Sequence, residues 1–333
     1  MHVGRAYRLR DFAWWSRRSA IYMLIVSAIA FAAYTLPPVQ GFAVPWAIIL
    51  VLGTTVSLVS GFKNGQVLQR SNDALQCFAQ IAASSRMLAS LCCDFLEPET
   101  ARRVILTHLG WLTALRFALR TPKPWETMSR GANREFRKRY MRIQEDLTTL
   151  PAELERFVGA EAKGLAAQPQ PTLALLQRQA EDINALLKQN TVPTQIYGEL
   201  LKVLRDCHEQ QSKCERIKNS PYPRQYAIVS AIFVAVFGTL LPFGVVPMFA
   251  AMSSIGGLLG PYMIWLSIPF SVLLGWIYFS LDLVGESTSN PFEGNANDVP
   301  ISQISRDLEI ELRGQLGDTD LPARLEPVHG IAT

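Results

Sequence analysis

The stretch "LGTTVSLVSGFKNGQVLQR", residues 52–70, decides how this chain folds. Its first half continues an apolar run that begins near Phe42. Yet it carries hydroxyls at Thr54, Thr55, Ser57 and Ser60, and glycines at Gly53 and Gly61. It then passes through Phe62 into Lys63 and Asn64 with no proline or turn cluster to stop a helix. A helix that faces only lipid has no use for so many hydroxyls, so the polar positions face something else. A helix that leaves the bilayer without a break can also line the watery space beyond it.

At about 100° per residue, Thr54, Leu58 and Phe62 form an i, i+4, i+8 stripe. Gly53, Ser57 and Ser60 lie on the neighbouring flank. Small residues at that spacing let helices approach closely in lipid, and their hydroxyls can bond back to carbonyls one turn earlier. The stripe therefore reads in two ways: a helix–helix seam, or the lining of a narrow pore between copies of the same helix. Periodicity alone leaves both open.

Working outward, the 333 residues are 49% hydrophobic and only 18% charged, against about 25% charged in an ordinary soluble chain. The apolar excess is concentrated in runs, which predicts four membrane spans at about 20–36, 42–62, 226–246 and 263–281. Pro37-Pro38 ends the first run, and the short connection that follows makes the first two spans a hairpin. Trp14 and Trp15 beside Arg17 and Arg18 suit a bilayer interface. The expected organisation is an N-terminal segment (1–18), a first hairpin (19–62), a helical polar region (63–225), a second hairpin (226–282), a C-terminal segment (283–317) and a flexible tail (318–333). Lys and Arg are missing from both hairpin tips, which predicts cytoplasmic termini and a cytoplasmic 63–225 region of an inner-membrane protein. Within that region Thr100 is the expected N-cap of the helix following Pro98. Asp298 is the expected cap of an amphipathic helix carrying Ile301, Ile304, Leu308 and Leu312. The basic segment at residues 130–147 reads as a solvated helix face, ahead of a contact for anionic lipid headgroups or nucleic acid.

The net charge of +4 is too mild to argue for nucleic acid, and no nucleic-acid-binding signature is present. The five cysteines show no C-x-x-C pair. Cys207, His208 and Cys214 read as helix residues rather than a metal set, because zinc spacing is not met. No metal or other cofactor is expected. The four histidines are scattered, and no nucleophile–base pair, phosphate loop or dinucleotide fingerprint points to an enzyme. Asp282 and Glu286 fall at the end of the fourth span, where capping or interface roles are expected.

The quoted stretch resembles the second-span signature of the bestrophin family, whose bacterial members carry a leucine-glycine … glycine-phenylalanine-arginine-asparagine run. "LGWLTALRFALR" (109–120), "CERIKNSPYPRQY" (214–226), "LPFG" (241–244) and "LDLVGESTSNPFEGNANDVPISQI" (281–304) resemble further family segments, in order and at matching spacing. The resemblance implies an all-α membrane protein that assembles as a homopentameric channel for monovalent ions, seated in membrane lipid. It implies that Thr54, Leu58 and Phe62 form a constriction, the neck, and that Gly53, Ser57 and Ser60 pack against neighbouring helices. The family neck is usually three bulky apolar rings; here the outermost is Thr54, so an effective neck of two rings is expected, Leu58 and Phe62. A second restriction is implied in the zone 195–198, at Ile196 with Tyr197 next. Eukaryotic members bind calcium after the asparagine-proline-phenylalanine motif. Here only Glu293 and Asp298 carry charge, too few carboxylates for the six to eight oxygens calcium takes.

The ion is not decided. Eukaryotic bestrophins pass chloride, bacterial relatives include cation channels, and the bacterial character of this chain leans toward cations. Lys63 and Arg70 are candidate vestibule charges. The rival reading is a non-conducting oligomeric scaffold or sensor that acts through its cytoplasmic helices.

Overall fold

The computed structural model describes residues 1–5, 7–127, 131–253 and 260–333. The sequence-expected link between the third and fourth spans therefore lies partly outside the described residues. Four helices are long and apolar enough to cross a membrane: α1 (Leu9–Thr35), α2 (Trp46–Phe95), α9 (Arg224–Met252) and α10, which runs Gly260–Thr288. Between α2 and α9 lie α3 (Pro98–Arg120), α4 (Gly131–Tyr140), α5 (Leu150–Val158), α6 (Ala162–Ala166), α7 (Pro171–Lys188) and α8 (Thr194–Asn219); α11 (Ile301–Gln315) closes the chain. No strand occurs among the described residues.

The first part of α2 packs on α9 and α10, burying Ile49 and Val56 against Val234, Phe237, Leu241 and Val245. α9 contains Pro242 and Pro247. Proline has no N–H, so Pro247 leaves the Phe243 carbonyl one turn earlier without its helical donor. The Val44 amide, in the segment leading into α2, supplies it at 3.1 Å. Across the layer, Tyr22 meets Thr239 at 2.7 Å between hydroxyls, and the Trp276 indole donates to Ser16 Oγ at 2.8 Å. Each pairing satisfies a polar group where water is absent.

Beyond Phe62 α2 continues without a break for roughly 50 Å at 1.5 Å per residue. There it becomes the spine of a second core, with Phe78, Ile81, Leu88 and Cys92 packed on Trp111, Leu112 and Leu115 of α3, Ile183 of α7, Leu200 of α8 and Leu308 of α11. α8 runs antiparallel to it: Arg70 donates to the Ile217 carbonyl, while seven residues further along α2 Cys77 is buried in the same core as Cys214.

Three local expectations are corrected. Glu97, not Thr100, occupies the cap position of α3, with Pro98 as its first residue; a proline there needs no hydrogen-bond donor. Pro300 occupies the cap position of α11, and Asp298 turns inward instead, accepting from the Gly294 and Asn295 amides at 2.8 Å each. The end of the chain is not a free tail. Gln303 donates to the Thr333 carbonyl at 2.9 Å, and Ile331 is buried with Trp15 and Phe136. Apolar residues at the extreme C-terminus reach the groove that α4 and α1 leave open.

Candidate functional site

Thr54, Leu58 and Phe62 all lie on the exposed face of α2 in the single chain, Leu58 at 61% and Phe62 at 65% exposure. The same face carries Gln69, Gln76 and Gln80, all exposed, within about 40° of Leu58 at 100° per residue. One uninterrupted helix face thus changes from hydroxyl to apolar to amide along its length. Thr54 donates its hydroxyl to the Val51 carbonyl at 2.9 Å. That leaves its oxygen lone pairs outward, still able to bind water.

Of the flank residues, Gly53 and Ser60 are buried, while Ser57 is exposed in the single chain. Gly53 lies under the Phe237 ring, where an added Cβ would stand 3.1 Å from the nearest ring carbon. Ser57 donates back to the Gly53 carbonyl at 2.9 Å and meets the Tyr278 hydroxyl at 3.0 Å. Ser60 is buried, and its hydroxyl has no partner among the described residues.

Directly after Phe62 the helix is clamped. Lys63 is 5% exposed and its ammonium bonds Asp282 Oδ1 at 2.6 Å, with Ser230 donating to the same oxygen at 3.0 Å. Lys63 is therefore not a free vestibule charge: its stem and charge are turned into the protein, away from the Phe62 face. Next to it, a Cβ on Gly285 would stand 2.1 Å from Asn64 Oδ1, so a larger residue there would have to displace the Asn64 side chain. Asp282 has the interface role expected of it. Arg70 is also turned aside, donating to the Ile217 carbonyl. With Gln66, Gln69, Asp73 and Arg216 it lines an open hollow of about 290 Å³ beside the exposed face.

Ile196 and Tyr197 stand in the first turn of α8, half-buried against the extramembrane core; the Tyr197 hydroxyl donates to Asn184 at 2.8 Å. Because α8 runs antiparallel to α2, they lie roughly 30 Å along the helix from the Ile217 contact, at the end remote from Phe62.

The turn after α10 fastens the two layers together. Phe292 is buried against Phe78, ring centroids 5.9 Å apart, and Arg120 donates to the Phe292 carbonyl at 3.0 Å. Gly294 adopts φ +90°, a conformation that favours glycine. Glu293 accepts from the Thr127 amide at 3.0 Å, and from the Thr127 hydroxyl and the Asn290 amide. Burial first, then nearby Asp298, pushes its carboxyl up to about 8. Burial likewise raises Asp298 to about 6, against its two backbone donors and Arg120. These two carboxyl groups hold the turn shut. Among the described residues no group of three or more His, Cys, Asp or Glu side chains is placed to hold a metal ion.

The fold also brings together a pair that sequence reasoning missed. Ser85 Oγ and His108 Nε2 are 2.8 Å apart, and His108 Nδ1 lies 3.5 Å from the Gln179 amide. Helical spacing could have flagged both as inward-facing, but not as partners, since they sit on different helices. His108 is fully buried and its pKa is pushed down to about 4 by that burial. With no carboxylate behind the imidazole and no opening to solvent, the pair serves packing rather than nucleophilic chemistry.

Residues 16–314 match the model of a family described as bacterial/fungal bestrophin protein. The chain is 22% identical over 279 residues to the voltage-dependent anion channel-forming protein YneE of Escherichia coli strain K12, covering 83% of this chain and 79% of that protein. It is 23% identical over 311 residues to the voltage-dependent anion channel-forming protein mll4386 of Mesorhizobium japonicum, covering 88% and 87%. Among solved structures, it superposes on a bacterial bestrophin homolog from Klebsiella pneumoniae with a TM-score of 0.75 at 21% identity, over 91% of this chain and 98% of that one.

Proposed function

Because this chain belongs to the bacterial and fungal bestrophin family, an integral membrane family of ion channels rather than enzymes, we propose that it forms a homopentameric channel and conducts monovalent ions, anions foremost, passively through a pore lined by α2. The observation that carries this reading is the α2 face itself. It remains uncovered in the single chain over its whole length, and it passes from Thr54, Leu58 and Phe62 to Gln69, Gln76 and Gln80 with no break in the helix. Around a shared axis that face would give a short dewetting neck, formed by Leu58 and Phe62, opening into an amide-lined vestibule. Thr54 would keep the outer mouth wet. Ile196 and Tyr197, at the far end of α2, would restrict the cytoplasmic exit, with both termini on that side and the protein in the inner membrane.

The anion preference rests on the relatives' names and on charge. The hollow beside the face is lined by Arg216 and by Arg70, the latter tied to the Ile217 carbonyl, against the single acidic residue Asp73, a local excess of positive charge. This turns the choice away from the cation lean that bacterial character suggested. The deciding experiment is the reversal potential of purified protein in planar bilayers under a potassium chloride gradient. A value near the chloride equilibrium potential supports the reading, and the opposite sign makes it a cation channel. Silence from intact oligomers would leave the scaffold reading in its place.

A further inference from the structure

We infer that the start of α1 and helix α4 form a site for an anionic phospholipid, its phosphate held by Arg18, Lys138 and Arg139 and its acyl chains laid along Ile21, Ile25 and Ile29. The inference concerns the lipid-facing edge of the chain and is independent of whether α2 conducts.

One face of α1 requires an amphiphile. Ile21, Ile25 and Ile29 lie within about 60° of Arg18 at 100° per residue, and all three are exposed. Trp14 falls on that face one turn before Arg18. The face therefore changes, within about a turn, from apolar side chains to an indole and a guanidinium whose side chain is 58% exposed. Lipid tails cover the isoleucines, and the headgroup at the end of those tails then stands against Arg18.

α4 adds the rest of the charge. It is docked on the start of α1: the Trp15 indole donates to Asn133 at 3.0 Å, Arg17 and Arg18 each pair with Glu135 at 2.7 Å, and the Tyr140 hydroxyl donates to Asp11 at 3.0 Å. Lys138 and Arg139 follow Glu135 by three and four residues, so they share its helix face and stand beside the same arginines. The Arg139 guanidinium lies over the Trp14 ring, 5.1 Å from its centroid, and Arg17 lies over that ring at 4.1 Å. Two arginines from distant parts of the chain thus meet on one indole where the apolar run begins. Lys138 and Arg139 are exposed and have no ion-pair partner among the described residues, while Glu135 is shared by Arg17 and Arg18. Positive charge is left over, and it complements a phosphodiester. Nucleic acid would meet the cations but leave the isoleucines bare; an anionic phospholipid satisfies both.

The test incubates the full chain, purified in detergent, with equal amounts of dioleoyl phosphatidylglycerol and dioleoyl phosphatidylcholine, and reads the retained lipid by native mass spectrometry. The tails are identical, so a preference reports the headgroup. Phosphatidylglycerol should be retained about fivefold over phosphatidylcholine, the scale for one basic side chain engaged at an anionic surface. That preference should fade as salt is raised from about 0.1 M to about 1 M, because the screening length shrinks from about 10 Å to about 3 Å. Arg18→Gln combined with Arg139→Gln should abolish it at low salt. Arg224→Gln, which removes an exposed cation at the start of α9, should keep it. Equal retention of the two lipids by the wild type, or a preference untouched by salt, would overturn the proposal, and neither reading depends on how a variant folds. So would a preference that survives the double substitution, or an equal loss in Arg224→Gln, the mark of a diffuse field. Glycerophosphoglycerol, the headgroup without tails, should fail to displace the lipid; displacement would make this a site for free anions and sink the assignment.

Discussion

Phe62 lies about two turns beyond Thr54 on one stripe, yet their side chains oppose each other in effect. Phe62 presents an aromatic ring at 65% exposure, and a ring of five such side chains would hold water out of the neck. Phe62→Ala is expected to raise single-channel current severalfold in planar bilayers. Thr54→Leu, by completing an apolar neck, is expected to lower the open probability; equal currents from all three proteins would remove the stripe from the conduction path. Lys63, one residue on, holds the helix rather than the ion. Its pair with Asp282 is buried on both sides, at 6% and 14% exposure. Lys63→Met leaves a buried carboxylate with one hydroxyl donor, so it should lose about 3–5 kcal/mol of stability in a denaturant series. Adding Asp282→Leu should recover most of that loss, and a double variant no better than the single would show that the two charges are not coupled.

The turn 290–298 is the element whose behaviour follows from titration. Glu293 has its carboxyl raised from 4.5 to about 8 in the folded chain. Between those values the folded state holds a proton that the unfolded state has released, so this group's contribution to stability falls as pH rises toward 8. His108 is lowered to about 4 and opposes this trend below its ordinary value of 6.5. The amino terminus is lowered to about 6 and opposes it up to 8. The informative reading is therefore a difference: stability measured from pH 5 to pH 8 should fall more steeply in the wild type than in Glu293→Gln. Parallel curves for the two proteins would mean that the Thr127 and Asn290 donors already hold Glu293 ionised. At the same scale, α9 shows why proline can sit inside a membrane helix. The carbonyl that Pro247 frees is taken by Val44 of another segment.

For the whole molecule, the uncovered face of α2 and the apolar outer faces of α1, α9 and α10 set different demands. Lipid covers the latter, as Ile25, Ile29, Ile232 and Leu273 are exposed there. Lipid does not suit a face that goes on to Gln69 and Gln76, so further copies of the chain are the expected cover. Native mass spectrometry from detergent should return a pentamer, and crosslinking that stops at dimers would exclude it. In such an assembly Ile196→Ala should raise current less than Phe62→Ala, because Ile196 is half-buried against its own chain's core.

The amino-acid sequence by itself determined the four apolar runs, the unbroken passage of the second helix out of the bilayer, and the stripe of Thr54, Leu58 and Phe62. These follow from local hydrophobic periodicity and from the absence of helix breakers, properties that each short segment carries alone. Only the tertiary structure decided where the charges point. Lys63 and Arg70 read as vestibule cations until Asp282 and the Ile217 carbonyl, more than two hundred and more than a hundred residues away in the chain, were seen to take them. The same holds for Ser85 beside His108, Asp298 turned into its own loop and the docked C-terminus. A side chain's partner is set by which helices pack together, and burial makes pairing obligatory for a polar group wherever water cannot reach it.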